Sequence, residues 1–97
     1  MKLYHGTKLK GKNKKRLIDF PKARKALNGV GFYLTNDIKV AEYYGDVIEY
    51  EVGPEWECAL VRPINVNMVG GCAMEYVLSQ QEADALVLDH ALSITIH

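Results

Sequence analysis

Apolar and polar positions alternate from Val47 to Val52, with Ile48, Tyr50 and Val52 on one face and Val47, Glu49 and Glu51 on the other. A period of two predicts a half-exposed antiparallel strand. Lys2 to His5 reads as a short strand closed by Gly6, and Gly31 to Leu34 as another. Further strands are expected at Glu57 to Val61, Ala85 to Asp89 and Leu92 to Ile96. Helical expectations fall between them. Pro21 to Leu27 carries proline at its first position and Asn28-Gly29 as a C-cap signal. Thr35 or Asn36 can cap Asp37 to Tyr44, where Asp37 suits the positive end of the helix dipole and Gly45-Asp46 stops the run. Ala73 to Gln80 reads as a third helix after Gly70-Gly71. No internal repeat, low-complexity tract or linker interrupts the pattern. The expectation is one α+β domain over residues 1–97, mostly β with a few short helices.

Composition limits what such a domain can be. Hydrophobic residues at 48% and charged residues at 25% are ordinary for a globular chain, so a modest core is expected without metal or disulfide support. Cys58 and Cys72 form neither a CxxC pair nor a dense framework, and two free thiols are expected. His5, His90 and His97 have no metal-ligand spacing. No serine or cysteine sits in an elbow-like turn of the kind that presents a nucleophile. The absence of a signal-like leader and of a long apolar run predicts a soluble, cytoplasmic protein with no membrane partner.

Charge is divided along the chain although the net charge is zero. Residues 1–27 hold ten Lys or Arg against Asp19 alone, whereas residues 28–97 hold two bases against eleven acids. Six cations fall between Lys8 and Arg16, which predicts a solvated basic surface loop over 8–16. Clustered cations also draw phosphate, from a dinucleotide or a nucleic acid backbone, and acidic proteins. With no aromatics between the lysines and no helical period organising them, nucleic acid is not favoured.

Two strings carry the candidate chemistry: Leu3-Tyr4-His5-Gly6-Thr7, and Gly29-Val30-Gly31-Phe32-Tyr33-Leu34-Thr35, with Tyr33 placed 28 positions after His5. Gly29-x-Gly31 is not a dinucleotide fingerprint, since it lacks the third glycine and opens a strand rather than a helix. Joined to Ala41 and two tyrosines on a following helix and then to Ile48-Glu-Tyr-Glu-Val52, the strings resemble the His-Tyr-Glu branch of the ADP-ribosyltransferase (ART) superfamily, the diphtheria-toxin and poly(ADP-ribose) polymerase type. The resemblance covers residues 3–7 and 29–52, with a thinner match over 82–96.

It implies an ART-like split antiparallel sheet, with NAD as the substrate bound in its cleft, nicotinamide released and no metal used. His5 would hydrogen-bond a ribose hydroxyl. Gly6 would admit the nicotinamide carboxamide to the backbone, since a Cβ would block close contact. Thr7 would add a hydroxyl, and Tyr33 would stack on the nicotinamide ring. A second stacking aromatic is expected on the following helix, where Tyr44 is preferred by direct count and Tyr43 by alignment on Ala41. Adjacent helical residues point about 100° apart, so only one can reach the pocket.

The family's glutamate stands just before a late strand reading Tyr-Val-Val-Phe-Asp. Ala85-Leu-Val-Leu-Asp89 is taken as the counterpart, which puts Asp84 in the catalytic position with Glu82 as the alternative; Glu75 ranks below both because it falls in a helix pattern. Such an acid would offset the positive charge that develops on the ribose, the demand glycosidases also meet.

The expected function is therefore NAD-dependent ADP-ribosyl transfer to a macromolecule, with a protein side chain as acceptor. A phage or bacterial effector role, in host cytoplasm if phage-encoded, comes with the resemblance. Two alternatives remain open. One is an inactive ART-fold binding or inhibitory protein. The other is an enzyme similar to RNA 2′-phosphotransferases, which share the His-Gly-Thr string and need basic residues to hold the RNA phosphate.

Overall fold

The computed structural model describes residues 1–26, 29–64, 73–90 and 94–96. Seven strands and three helices follow one another: β1 (Lys2–Thr7), α1 (Gly11–Asp19), β2 (Arg24–Ala26), β3 (Gly29–Thr35), α2 (Ile38–Tyr44), β4 (Asp46–Glu51), β5 (Leu60–Pro63), β6 (Met74–Leu78), α3 (Gln80–His90) and β7 (Ile94–Ile96). The fold is α+β. Six strands form one antiparallel sheet in the order β5-β6-β3-β1-β4-β7, and β2 pairs with the outer part of β3. No helix among the described residues is long and apolar enough to cross a membrane. Cys58 is a free thiol, and Cys72 and His97 lie outside the described residues.

Register assigns each side chain to a face, because directly opposed residues in neighbouring strands share one. Leu3 faces Tyr50, His5 faces Ile48, and Phe32 faces Leu78. These residues lie on one side of the sheet, where Ala83 and Leu86 of α3 and Leu17 of α1 complete the core. The other side carries Tyr4, Thr35 and Glu75, aligned through the pairs Tyr4↔Thr35 and Thr35↔Glu75. Helix α2 packs against this second side through Val40 and Ala41, which are 4% and 1% exposed.

The sheet is split in the middle. Strands β1 and β4 pair at six positions, but β1 and β3 share only Tyr4↔Thr35. Helix α2 then starts within three residues of β3, with Asp37 as its cap accepting from the Lys39 amide at 2.9 Å.

Four expected elements differ. The segment 73–80 contains strand β6 rather than a helix, and 85–89 lies in helix α3 rather than a strand. The burial of Leu86 (1% exposed) beside Leu88 (84%) shows why: a strand would put both on one face, whereas a helix turns them about 200° apart. Ser79 caps α3 in a reciprocal box with Glu82, the Glu82 amide donating to Ser79 Oγ at 3.2 Å and the Ser79 amide donating to Glu82 Oε1 at 3.0 Å. The third difference is at 21–27, where the described part holds β2, paired from Arg24↔Gly31 to Ala26↔Gly29. Fourth, the basic run 8–16 is largely helical, within α1. The strand expected at 57–61 is shifted to β5.

Candidate functional site

Tyr33 pairs with Val77 of β6, but where β1 and β3 diverge it has no partner on β1, and the His5 side chain reaches it there. Its Nδ1 stands 2.8 Å from the Tyr33 carbonyl oxygen, so the imidazole donates there. The ring also stacks on Phe32, with centroids 4.3 Å apart and planes 19° from parallel. Burial pushes the His5 pKa below the ordinary 6.5, against the smaller opposing effect of the Tyr33 hydrogen bond. A neutral imidazole with its proton on Nδ1 leaves Nε2 as an acceptor.

The opening beside this bond is a cleft of about 470 Å³, within the range of small-molecule sites. Tyr4, His5 and Gly6 of β1, Tyr33 to Thr35 of β3, Val40, Ala41 and Tyr44 of α2, Ile64 and Glu75 line it. Of the residues expected at the site, His5, Gly6, Tyr33 and Tyr44 are therefore brought together. Tyr33 is fixed by donating its hydroxyl to the Gly29 carbonyl, and Tyr44 stands at the end of α2, half exposed.

Gly6 has a different reason for lacking a side chain. A Cβ there would lie 2.0 Å from the Ala41 carbonyl oxygen, so the missing atom admits α2 to β1. Helix packing thus gives a reason for the glycine that does not depend on a ligand, and Gly6 also lines the cleft. Thr7 is buried, with its Oγ1 accepting from the Leu9 amide at 3.1 Å, and it does not reach the cleft. Tyr43 points away as well, 66% exposed and edge-on to Tyr44.

Asp84 and Glu82 are also placed elsewhere. Both belong to α3, which covers the core side of the sheet, opposite the face that carries the cleft. Asp84 is exposed and accepts from Gln80 Nε2 at 2.9 Å. The Glu82 carboxylate accepts from the amides of Ser79 and Ala59, which hold its pKa below the ordinary 4.5. Its oxygens are committed to capping.

Among the described lining residues the acid is Glu75, at the second position of β6 and opposite Thr35. It is followed by Tyr76-Val77-Leu78, so Glu75-Tyr-Val-Leu fits the glutamate-then-Tyr-Val pattern better than the run at 85–89. That order was available in the sequence. Arg62, opposite Glu75 on β5, approaches its Oε1 to 3.5 Å through Nη2. Neither Nε nor Nη2 of Arg62 has a hydrogen-bond partner among the described residues, so charge rather than a fixed hydrogen bond ties the pair.

His5, Tyr33 and Glu75 thus come from three adjacent strands, β1, β3 and β6, and meet at one opening. In comparisons with known proteins, no family model, curated protein or solved structure matches this chain.

Proposed function

We propose that the chain is an NAD-dependent ADP-ribosyltransferase that moves ADP-ribose from NAD to a macromolecular acceptor with release of nicotinamide. The single observation that carries this reading is the convergence of His5, Tyr33 and Glu75 on one cleft at the split of the sheet. Tyr33 and Tyr44 offer aromatic faces for the nicotinamide ring. The free Nε2 of His5 accepts from a ribose hydroxyl. Glu75 holds a second hydroxyl and offsets the charge that develops on the sugar as the bond to nicotinamide breaks. The bonding electron pair leaves with the nicotinamide, and the acceptor's nucleophile closes on the ribose carbon as it gives up its proton. A shallower depression lined by Tyr4, Asn36, Asp37, Ile38 and Ala73 adjoins the cleft and gives the acceptor a way in.

A protein acceptor, a cytoplasmic setting and a phage or bacterial effector role rest on the resemblance alone. The RNA phosphotransferase reading fits the cleft less well, because no Lys or Arg is among its described lining residues to hold an RNA phosphate.

Incubation of the purified protein with labelled NAD and a bacterial lysate tests the proposal. Label transfer should fall about 100-fold or more in Glu75→Gln and in His5→Ala, the scale of losing one electrostatic stabiliser. Asp84→Ala should retain it. An NAD-induced thermal shift without label would favour the inactive binder, and the absence of both would sink the NAD reading.

A further inference from the structure

Arg62 is an unusual residue for strand β5. That strand is an edge of the sheet, paired with β6, and it leaves Leu60 and Val61 46% and 40% exposed. On an edge a long cation ordinarily turns its head to water. Arg62 does the reverse: Nε and Nη2 are buried and have no hydrogen-bond partner among the described residues. Burying charged donors without acceptors is costly, so the guanidinium is held there by the charge it faces.

That charge is Glu75. The two residues are directly opposed across β5 and β6, and the same row continues through Thr35, so all three share the face that carries the cleft. The Arg62 side chain is 32% exposed and that of Glu75 15%. Nη2 stops 3.5 Å from Oε1, short of the contact of about 2.7–2.9 Å at which an arginine and a carboxylate hydrogen-bond. The other acids behave differently. Asp46 closes on Lys10 and Lys14 at 2.8 and 3.0 Å, Glu82 accepts from two amides, and Asp84 accepts from Gln80. Glu75 accepts no hydrogen bond among the described residues.

We propose that Arg62 is a positioning residue for Glu75: its charge draws one carboxylate oxygen toward β5 and so presents the other to the ribose hydroxyl. This role rests on the NAD reading of the cleft. It gives Arg62 no contact with NAD, since the arginine is not among the described lining residues. An arginine that served the sheet alone would close on its partner as a fork, with two of its nitrogens engaged. Here the attraction acts at 3.5 Å, and neither carboxylate oxygen is taken up by a hydrogen bond among the described residues.

The test measures nicotinamide release over a series of NAD concentrations, above that of the bacterial lysate alone, for the wild type, Arg62→Gln, Arg62→Lys, Glu75→Gln and the double variant Arg62→Gln, Glu75→Gln. Arg62→Gln should lower kcat about tenfold or more, as a misplaced group does, with KM for NAD unchanged. Arg62→Lys keeps the charge and should restore most of the loss. In the Glu75→Gln background Arg62→Gln should have no further effect, because a residue that acts through the carboxylate has nothing left to act on. Thermal melts check that each variant is folded at the assay temperature; if Arg62→Gln is not, Arg62→Met, which keeps the apolar stem, takes its place. Equal kcat in Arg62→Gln and the wild type overturns the positioning role and leaves the NAD reading standing. A further loss in the Glu75→Gln background, or a loss in Arg62→Lys as large as in Arg62→Gln, also overturns it. A raised KM with kcat unchanged overturns it by placing Arg62 on NAD itself. A wild type that releases no nicotinamide overturns the NAD reading, and the positioning role with it.

Discussion

Gly6→Ala tests whether helix packing, rather than ligand access, explains the glycine in His5-Gly6-Thr7. The added Cβ would lie 2.0 Å from the Ala41 carbonyl oxygen, 2.9 Å from its carbon and 3.0 Å from Tyr44 Cβ. Separations under 3.0 Å are essentially never seen, so the first of these requires α2 to retreat by about 1 Å or β1 to bend by as much. The obstacle is backbone inside a seven-residue helix, and no rotamer change can relieve it. Overpacking of this kind costs about 3 kcal/mol. For a domain of this length that lowers Tm by roughly 12 to 24 °C. Gly31→Ala is the matched control, because its Cβ would meet Val77 Cγ1 at 2.4 Å, the end of a side chain that can rotate. Thermal melts should show Gly6→Ala clearly below Gly31→Ala. Equal melting of Gly6→Ala and wild type would refute the packing argument and return Gly6 to the role of making room for a ligand.

The remaining predictions concern His5 and the acids of α3. Because burial holds the folded His5 pKa below 6.5, the unfolded chain binds more protons than the folded one as pH falls below that value. Its contribution is full above pH 6.5 and is lost on acidification toward the folded pKa, with a limiting slope of about 1.4 kcal/mol per pH unit for one proton. Urea melts at a series of pH values should show this slope in the wild type and not in His5→Gln; an unchanged slope in the variant rules out His5 as its source. Ser79→Ala should cost about 1 kcal/mol through loss of the α3 cap, read as a lower urea midpoint. NAD binding should survive both Ser79→Ala and Asp84→Asn, since neither residue lines the cleft. Loss of NAD affinity in Asp84→Asn, read by calorimetry, would restore Asp84 as the acid.

Parts of the fold governed by local pattern were legible in the sequence. The alternation of Ile48, Tyr50 and Val52 marked β4, and all three are buried. The helix α2 was also legible, but its expected cap, Thr35 or Asn36, fell one or two residues early, since Asp37, expected inside the first turn, is the cap. Elements that failed were those for which local preference pointed one way and pairing the other. Ala23 to Ala26 is rich in helix formers, yet Arg24 to Ala26 pairs with β3, a tertiary partner that propensity does not see. The cations of residues 8–16 suggested a solvated loop because six of them fall within nine residues. Leu17 and the link from Lys14 to Asp46, 32 residues away, hold the element in place.

The exchange of strand and helix over 73–90 had the largest consequence, because it moved the acid from one face of the sheet to the other. Leu86 and Leu88 invited a strand reading, but Ser79-Gln-Gln-Glu82 is a capping box, a signal for a helix start that outranks four apolar residues in a row. Once α3 begins at Gln80, the preceding Met74 to Leu78 becomes an antiparallel partner of β3, and pairing Thr35 with Glu75 places the carboxylate on the cleft side. The same logic joins the other two residues. Tyr33 is two positions before Thr35 and so shares that face; His5, one position past Tyr4, is on the opposite face by alternation and borders the cleft because β1 and β3 part there. Tyr33 and Glu75 thus share a face through one register, His5 joins them through the split, and a chain that kept all three residues but slipped β6 by one position would turn Glu75 into the core.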